Sequence, residues 1–261
     1  MGVLNCTPDS FSDGNNDNLK ALILRAKQMV LHGANVVDVG GESTRPNASP
    51  VDVQEELARV IPVVQALTER DIPVSIDTMK AEVMQKAIVA GARLVNDVSA
   101  LTFDSNSLYV VADTGVDVCL MHMQGNVKTM QTNPHYDDVL SEVLFFFEQR
   151  IEACVQAGVQ TSAMILDPGI GFGKRLEDNL NLIANINVIK KTFDMPVLLG
   201  ASRKSFLGAM TNSEVHQREI ETAVASTVGI FCGADMIRVH DCFEHHKTAL
   251  VASKLADAKI L

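Results

Sequence analysis

Between Met164 and Lys174 the chain reads Met-Ile-Leu-Asp-Pro-Gly-Ile-Gly-Phe-Gly-Lys, a short apolar strand that ends on the carboxylate of Asp167 and runs into a glycine-rich turn. Glycines so closely spaced let backbone press against a ligand. An ionised carboxylate only accepts hydrogen bonds, so Asp167 beside such a rim suits a flat heterocycle whose edge offers two N–H groups side by side. Phosphate-loop readings fail, because Lys174 is followed by Arg175 rather than Ser or Thr and the glycines do not have dinucleotide-fingerprint spacing. A plainer reading stays open, in which Asp167 caps the helix that starts near Leu176.

A strand that delivers a carboxylate needs a scaffold, and the rest of the chain repeats the same punctuation. Short aliphatic or β-branched runs recur about every thirty residues, each followed by a turn and an amphipathic stretch with apolar positions three and four apart. Strands are expected at 3–5, 36–40, 74–77, 94–97, 118–121, 164–167, 197–201 and 236–239. Eight even βα units favour an α/β fold, a single TIM-type (β/α)8 barrel spanning residues 1–261, over a doubly wound open sheet. No Ser-, Gly- or Pro-rich linker marks a domain boundary. Gly33, Gly91, Gly158 and Gly233 are placed to end helices in left-handed caps, Ser49 and Pro50 to open the second helix, and Pro62 to bend it. The longest helix, 137–157, carries Phe145, Phe146 and Phe147, a band too wide for one stripe; it packs on two sides within the chain or forms a subunit contact.

At 261 residues, 47% apolar and 21% charged, the chain has the composition of a packed globular enzyme. A net charge of −10 argues against nucleic acid as a partner. No apolar run approaches the roughly 18 residues of a membrane span, and the N-terminus lacks a basic region followed by an apolar core; the expected location is the cytoplasm. Cys6, Cys119, Cys154, Cys232 and Cys242 form no Cys-x-x-Cys pair and fit neither a disulfide framework nor a zinc site.

Barrel enzymes build their sites at the C-terminal ends of the strands. Those ends carry Asn5, then Glu42, Thr44 and Arg45, then Asp77, Asn96 and Asp97, Met121 and His122, Asp167, Ser202 to Ser205, and Arg238 with His240. Acids and amides (Asp77, Asn96, Asp167) fall on the middle strands, while Arg45, Arg203, Lys204, Arg238 and His240 fall on strands two, seven and eight, close together in a closed ring. The mouth is then expected to divide into an acidic slot for a donor-rich ring and a cationic rim for anions, fit for a heterocycle joined to phosphate. Singly, each residue has a plainer role: a strand-end Asp as a cap, an Arg as a solvated charge, His122 as a core histidine, His245 and His246 as structural residues of a late helix.

Seven blocks carry a resemblance to one family. They are Asn5-Cys6-Thr7-Pro8-Asp9-Ser10-Phe11-Ser12-Asp13-Gly14, Asp38-Val39-Gly40-Gly41-Glu42-Ser43-Thr44-Arg45-Pro46, Ser75-Ile76-Asp77-Thr78, Asn96-Asp97, the stretch from Asp167 to Lys174, Ser202-Arg203-Lys204-Ser205 and Arg238-Val239-His240-Asp241. In this order the sequence resembles the dihydropteroate synthases, from Val3 almost to the C-terminus. The resemblance implies a barrel that joins 6-hydroxymethyl-7,8-dihydropterin pyrophosphate to p-aminobenzoate in folate synthesis, a sulfonamide target that works as a homodimer with Mg²⁺.

Residue by residue, it implies that Asp77, Asn96, Asp167 and Lys204 hold the pterin edge, with Met121, Phe172, Gly200 and Arg238 shaping the slot. Asn5, Arg45, Arg238 and His240 would hold the pyrophosphate, Asn5 also placing the Mg²⁺; Phe11, Thr44, Pro46, Ser202 and Lys204 would form the p-aminobenzoate pocket. The family's two mobile loops correspond to 7–18 and 42–49. Asp77, Lys204, Arg238 and His240 are the expected catalytic residues, because a dissociative (SN1-like) route needs negative charge by the ring and positive charge by the leaving group. Two rivals are a pterin-binding methyltransferase barrel, which needs no pyrophosphate clamp, and a catalytically silent pterin-binding relative, which has no use for Asn5, Thr44, Arg45 and Lys204 together. Family members usually carry a segment ahead of the first strand, and restoring one is expected to raise the melting temperature.

Overall fold

The computed structural model describes residues 1–6, 15–44 and 48–258, the side chains of 15–17 excepted. The chain alternates strand and helix: β1 (Gly2–Asn5), α1 (Asn15–Leu31), β2 (Val37–Gly40), α2 (Val53–Thr68), β3 (Val74–Asp77), α3 (Ala81–Val89), β4 (Leu94–Asp97) and α4 (Ser107–Thr114). It continues with β5 (Asp117–Met121), α5 (Val139–Gln156), β6 (Met164–Asp167), α6 (Leu176–Ala184), α7 (Ile186–Phe193), β7 (Leu198–Leu199), α8 (Ser205–Thr211), α9 (Glu219–Phe231), β8 (Met236–Ile237) and α10 (Cys242–Asp257).

All strand pairs are parallel. Strands β1 to β6 form one sheet in chain order, and β7 pairs with β8. Single parallel bridges span both seams, Leu166 to Val197 and Gly2 to Val239, with Val3 N–H donating to the Val239 carbonyl at 3.0 Å. The ring is the expected (β/α)8 barrel, with its eight strands where the apolar runs lie.

Strand alternation sorts side chains into two cores. Val37, Val39, Val74, Ile76, Val95, Val118, Leu120, Met164, Leu166 and Leu199 face the helices in the larger one, so these strands read as continuous apolar runs. Inside the barrel, Met1, Leu94, Cys119 and Leu198 cluster with Val36, Ile165 and Met236 as an apolar plug. One pleat further along the same strands come Asp38, Asn96, Met121, Asp167, Gly200 and Arg238. Polar groups therefore sit on a dry floor at the C-terminal mouth.

Gly33, Gly91, Gly158 and Gly233 follow their helices with φ of 94°, 105°, 100° and 111°, as expected of left-handed ends. Helix α2 starts later than expected. Its cap is Asp52, whose carboxylate accepts the Glu55 N–H at 2.9 Å, so Ser49 and Pro50 belong to the loop; a side-chain acceptor outweighs a proline. Pro62 lies inside α2. The aromatic run on α5 divides: Phe147 is in the core against Phe193 of α7, Phe146 meets the His122 ring edge-on, and Phe145 is 60% exposed.

The loop after β2 is tied down by charge. Lys80 donates to both Glu42 and the fully buried Glu56. Removing one member of such a group strands an uncompensated buried charge. Lys80→Met is therefore expected to lower the unfolding free energy by about 3–5 kcal/mol, and Glu42→Gln by much less, in urea titrations. Equal losses would mean that Glu56 does not depend on Lys80.

Candidate active site

Register assembles the polar layer. Asp38 lies beside Ser75 and Gly40 beside Asp77, Asp77 beside Asn96, and Met121 beside Asp167. Arg238, just past β8, reaches across the lumen, its Nε donating to Asp38 Oδ2 and its Nη2 to Asp77 Oδ2, both at 2.6 Å. Asn96 Nδ2 donates to the same Asp38 oxygen at 3.0 Å. Burial pushes the Asp77 carboxyl up to about 7, against the opposing pull of Arg238. Burial would lower the Arg238 guanidinium, but Asp38 and Asp77 more than offset this and hold it raised, a fixed cation. Acids and bases are thus interleaved across the lumen, where two separate flanks were expected.

Asp167 closes β6 and accepts the Gly169 N–H at 2.7 Å. It does not cap α6, whose first turn is served by Asp178 accepting the Arg175 N–H at 2.8 Å. Burial raises the Asp167 carboxyl, with Lys204 chief among the groups that oppose it. Gly200 separates the two: a Cβ there would stand 3.7 Å from Lys204 Nζ and 3.8 Å from Asp167 Oδ2. Lys204 also donates to the Ile170 carbonyl and lies 4.6 Å from the Phe172 ring centre. Burial brings its ammonium down to about 8.

The glycine-rich turn is pressed against the loop after β5. Gly169 has φ 68°, and a Cβ on it would come within 1.8 Å of the His122 carbonyl oxygen, so only glycine fits. Beneath the turn Lys174 Nζ, 3% exposed as a residue, is bonded to His122 Nδ1 at 2.9 Å, the His122 carbonyl at 3.3 Å and the Phe172 carbonyl at 3.1 Å. Burial, reinforced by Lys174, drives His122 down to about 2, so it is a neutral core histidine as expected.

On the other side Ser202 Oγ meets His240 Nδ1 at 2.9 Å. Asn5 ends β1 half-buried, and Thr44 is half-buried in the segment after β2. Phe11, Arg45 and Pro46 lie outside the described residues, with most of the first of the two loops expected to move and 45–47 of the second. Arg203 does not join a rim as expected, because its Nε binds Glu219 of α9. His245 is buried and structural, bonded to the same Glu219 at 3.0 Å. A cavity of about 500 Å³ opens beside Met121, walled by Val98, Met123 and Phe146. Two contributors escaped the sequence reading. Asp38 carries an inward strand parity, two residues before Gly40, that would have flagged it; Lys174 is the one base in the glycine-rich stretch.

Fold and mouth together define a pterin-binding barrel enzyme. Residues 1–240 match the family model described as pterin binding enzyme. The chain is 44% identical over 261 residues to the dihydropteroate synthase of Escherichia coli K12, covering 99% of this chain and 92% of that protein. The Yersinia pestis dihydropteroate synthase solved with a sulfonamide drug superposes with a TM-score of 0.93 at 44% identity, over 98% of this chain and 94% of that one. The Xanthomonas albilineans enzyme in complex with 7,8-dihydropteroate gives 0.87 at 39% identity, over 100% and 94%. The chain belongs to the dihydropteroate synthase family, transferases of folate biosynthesis.

The buried Lys174 gives a test with a definite sign. Burial lowers its ammonium from 10.5 to about 7, so between those values the unfolded chain holds a proton that the folded protein has released. Stability contributed by this site therefore rises with pH across that window. The difference in unfolding free energy between wild type and Lys174→Met is expected to grow from pH 7 to 10; a flat difference would mean that its three partners keep the ammonium charged.

Proposed function

We propose that this mouth carries out the family's condensation by a dissociative route. The bond between the pterin methylene carbon and the pyrophosphate oxygen breaks, with its electron pair leaving on pyrophosphate. The ring delocalises the resulting cation, the p-aminobenzoate nitrogen attacks the methylene, and that nitrogen loses a proton. The observation that carries this reading is Arg238 held between Asp38 and Asp77: fixed negative and positive charge meet in one buried layer, where preorganised charge acts most strongly.

In this reading Asp77, Asn96, Asp167 and Lys204 take the pterin edge, and Met121, Phe172, Gly200 and Arg238 bound its slot. Two of the Arg238 N–H groups are committed to carboxylates, which leaves the others for a phosphate oxygen beside Asn5, Arg45 and His240. Phe11, Thr44, Pro46, Ser202 and Lys204 take p-aminobenzoate, and the two mouth loops keep water from the cation.

Among the described residues no group of three His, Cys, Asp or Glu could hold a metal. Asn5, at the end of β1, offers a side-chain carbonyl that would serve as a protein ligand to a Mg²⁺ ion carried in on the pyrophosphate. Once bound, Mg²⁺ would neutralise charge on the leaving group. Five free thiols suit the reducing cytoplasm, where this reading places the enzyme.

A second copy of the chain is the partner that best suits helix α9. Ile220, Val224 and Val228 form a stripe along it, 78%, 59% and 44% exposed, beside the exposed Leu250, Val251 and Leu255 of α10. The chain is expected to sediment as a homodimer and Val224→Glu as a monomer; a wild-type monomer at micromolar concentration would remove the second copy.

Mixing the protein with dihydropterin pyrophosphate, p-aminobenzoate and Mg²⁺ is expected to release pyrophosphate. Binding without release would favour a silent pterin carrier, and no preference for the pyrophosphate ester over the bare pterin alcohol would favour the methyltransferase, which needs no pyrophosphate clamp. Asp77→Asn is expected to cut kcat by roughly 10² to 10³ while pterin affinity falls far less. Arg238→Ala is expected to weaken the pyrophosphate ester more than the bare pterin alcohol in calorimetry. Proportional losses in either variant would strip that residue of its role.

A further inference from the structure

The turn after β7 is held in a conformation its own sequence disfavours. Arg203 has φ 58°, in the left-handed region where a side chain is strained and glycine is not. It stands between Ser202, bonded to His240, and Lys204, which reaches the Ile170 carbonyl and the Phe172 ring. The residues on either side therefore face the mouth only while the backbone at 203 keeps this value.

The first turns of α9 supply the restraint. The Arg203 N–H donates to Thr222 Oγ1 at 3.1 Å, and the same hydroxyl donates to the Arg218 carbonyl at 2.6 Å. Arg218 Nη1 donates to the Arg203 carbonyl at 3.2 Å and the Lys204 carbonyl at 3.3 Å, while its Nε and Nη2 hold the Ser213 carbonyl. A Cβ at Gly208 would lie 2.3 Å from Arg218 Nη2, so α8 leaves room for that guanidinium by lacking a side chain. Glu219 binds the Arg203 side chain through one oxygen and accepts His245 Nε2 at 3.0 Å through the other. His245 is fully buried on α10, so Glu219 is braced from behind.

We propose that Glu219, braced by His245, is a positioning residue for the transferase reaction: it anchors the Arg203 side chain, keeps that backbone left-handed, and so aims Ser202 and Lys204 into the mouth. The inference rests on the reading of Ser202 and Lys204 given above. In this assignment Arg203 serves as an anchor for its own backbone rather than as a ligand for substrate.

Glycine at 203 separates this from a direct role, because it takes the left-handed conformation without help. Arg203→Gly, Arg203→Ala, Glu219→Ala and the double variant Arg203→Gly/Glu219→Ala, all in the full chain, would be compared for kcat, for KM of each substrate and for amide exchange of residues 201–205. Arg203→Gly is expected to stay within about twofold of wild type. Arg203→Ala and Glu219→Ala are expected to lower kcat/KM for p-aminobenzoate about tenfold and to speed exchange, with KM for the pyrophosphate ester little changed. In the Arg203→Gly background, removing Glu219 should alter neither readout. Arg203→Gly losing as much as Arg203→Ala, or Glu219→Ala matching wild type in exchange and turnover, would overturn the proposal. Lys204→Met turning over like wild type would instead remove the underlying reading of Lys204, and the exchange data would still decide the restraint.

Discussion

Arg238 held between Asp38 and Asp77 is the contact on which the rest of the mouth depends. A carboxylate or guanidinium taken out of water is costly unless its partners are close and well aimed. The group therefore requires β2, β3 and β8 to bring these side chains together inside the ring, Asp77 lying one pleat beyond the Ser75 that pairs with Asp38. It does so at one of the ring's two seams, where β8 meets β1 through a single parallel bridge at Val239. Beneath it the apolar plug of Met1, Leu94, Cys119 and Leu198 excludes water, which strengthens each contact above.

A second constraint is steric and acts on the other wall. Asp167 points into the mouth because the chain turns sharply after β6, and the turn can lie there because Gly169 passes within van der Waals reach of the His122 backbone. Lys174 then fills the space below and binds both loops by their carbonyls. A buried ammonium is an expensive fastener. It is used where two backbone carbonyls and the His122 ring nitrogen converge, and one lysine with three donors satisfies them together.

The positions of the strands, the glycine helix ends and the strand-end acids were legible because period-two burial and backbone conformation act locally. Features that depend on which side chains meet across the lumen were not. Arg238 and Asp38 are 200 residues apart, and nothing near either one says that they pair. Sorting the strand ends by sign suggested two flanks, but a barrel's interior is narrow enough for an arginine from β8 to reach carboxylates on β2 and β3. Arg203 misled for the same reason: its type suits an anion rim, while its partner Glu219 lies on a helix sixteen residues on. The late start of α2 turned on a side-chain acceptor at Asp52 competing with the proline signal three residues upstream of Val53.

Interleaved charge also bears on how the proposed reaction is timed. Asp77 spends much of its negative charge on Arg238, while burial raises its carboxyl. In the proposed reaction a polyanion held by the remaining N–H groups of Arg238 would draw on the same guanidinium and weaken its hold on Asp77, so that more of the field of Asp77 would reach the ring. Two separate flanks would keep both fields fully expressed in the empty site, where each would be screened by water and counter-ions. A shared guanidinium would couple them, so that in the proposed reaction the charge which stabilises the ring cation would be freed by the group whose departure creates it.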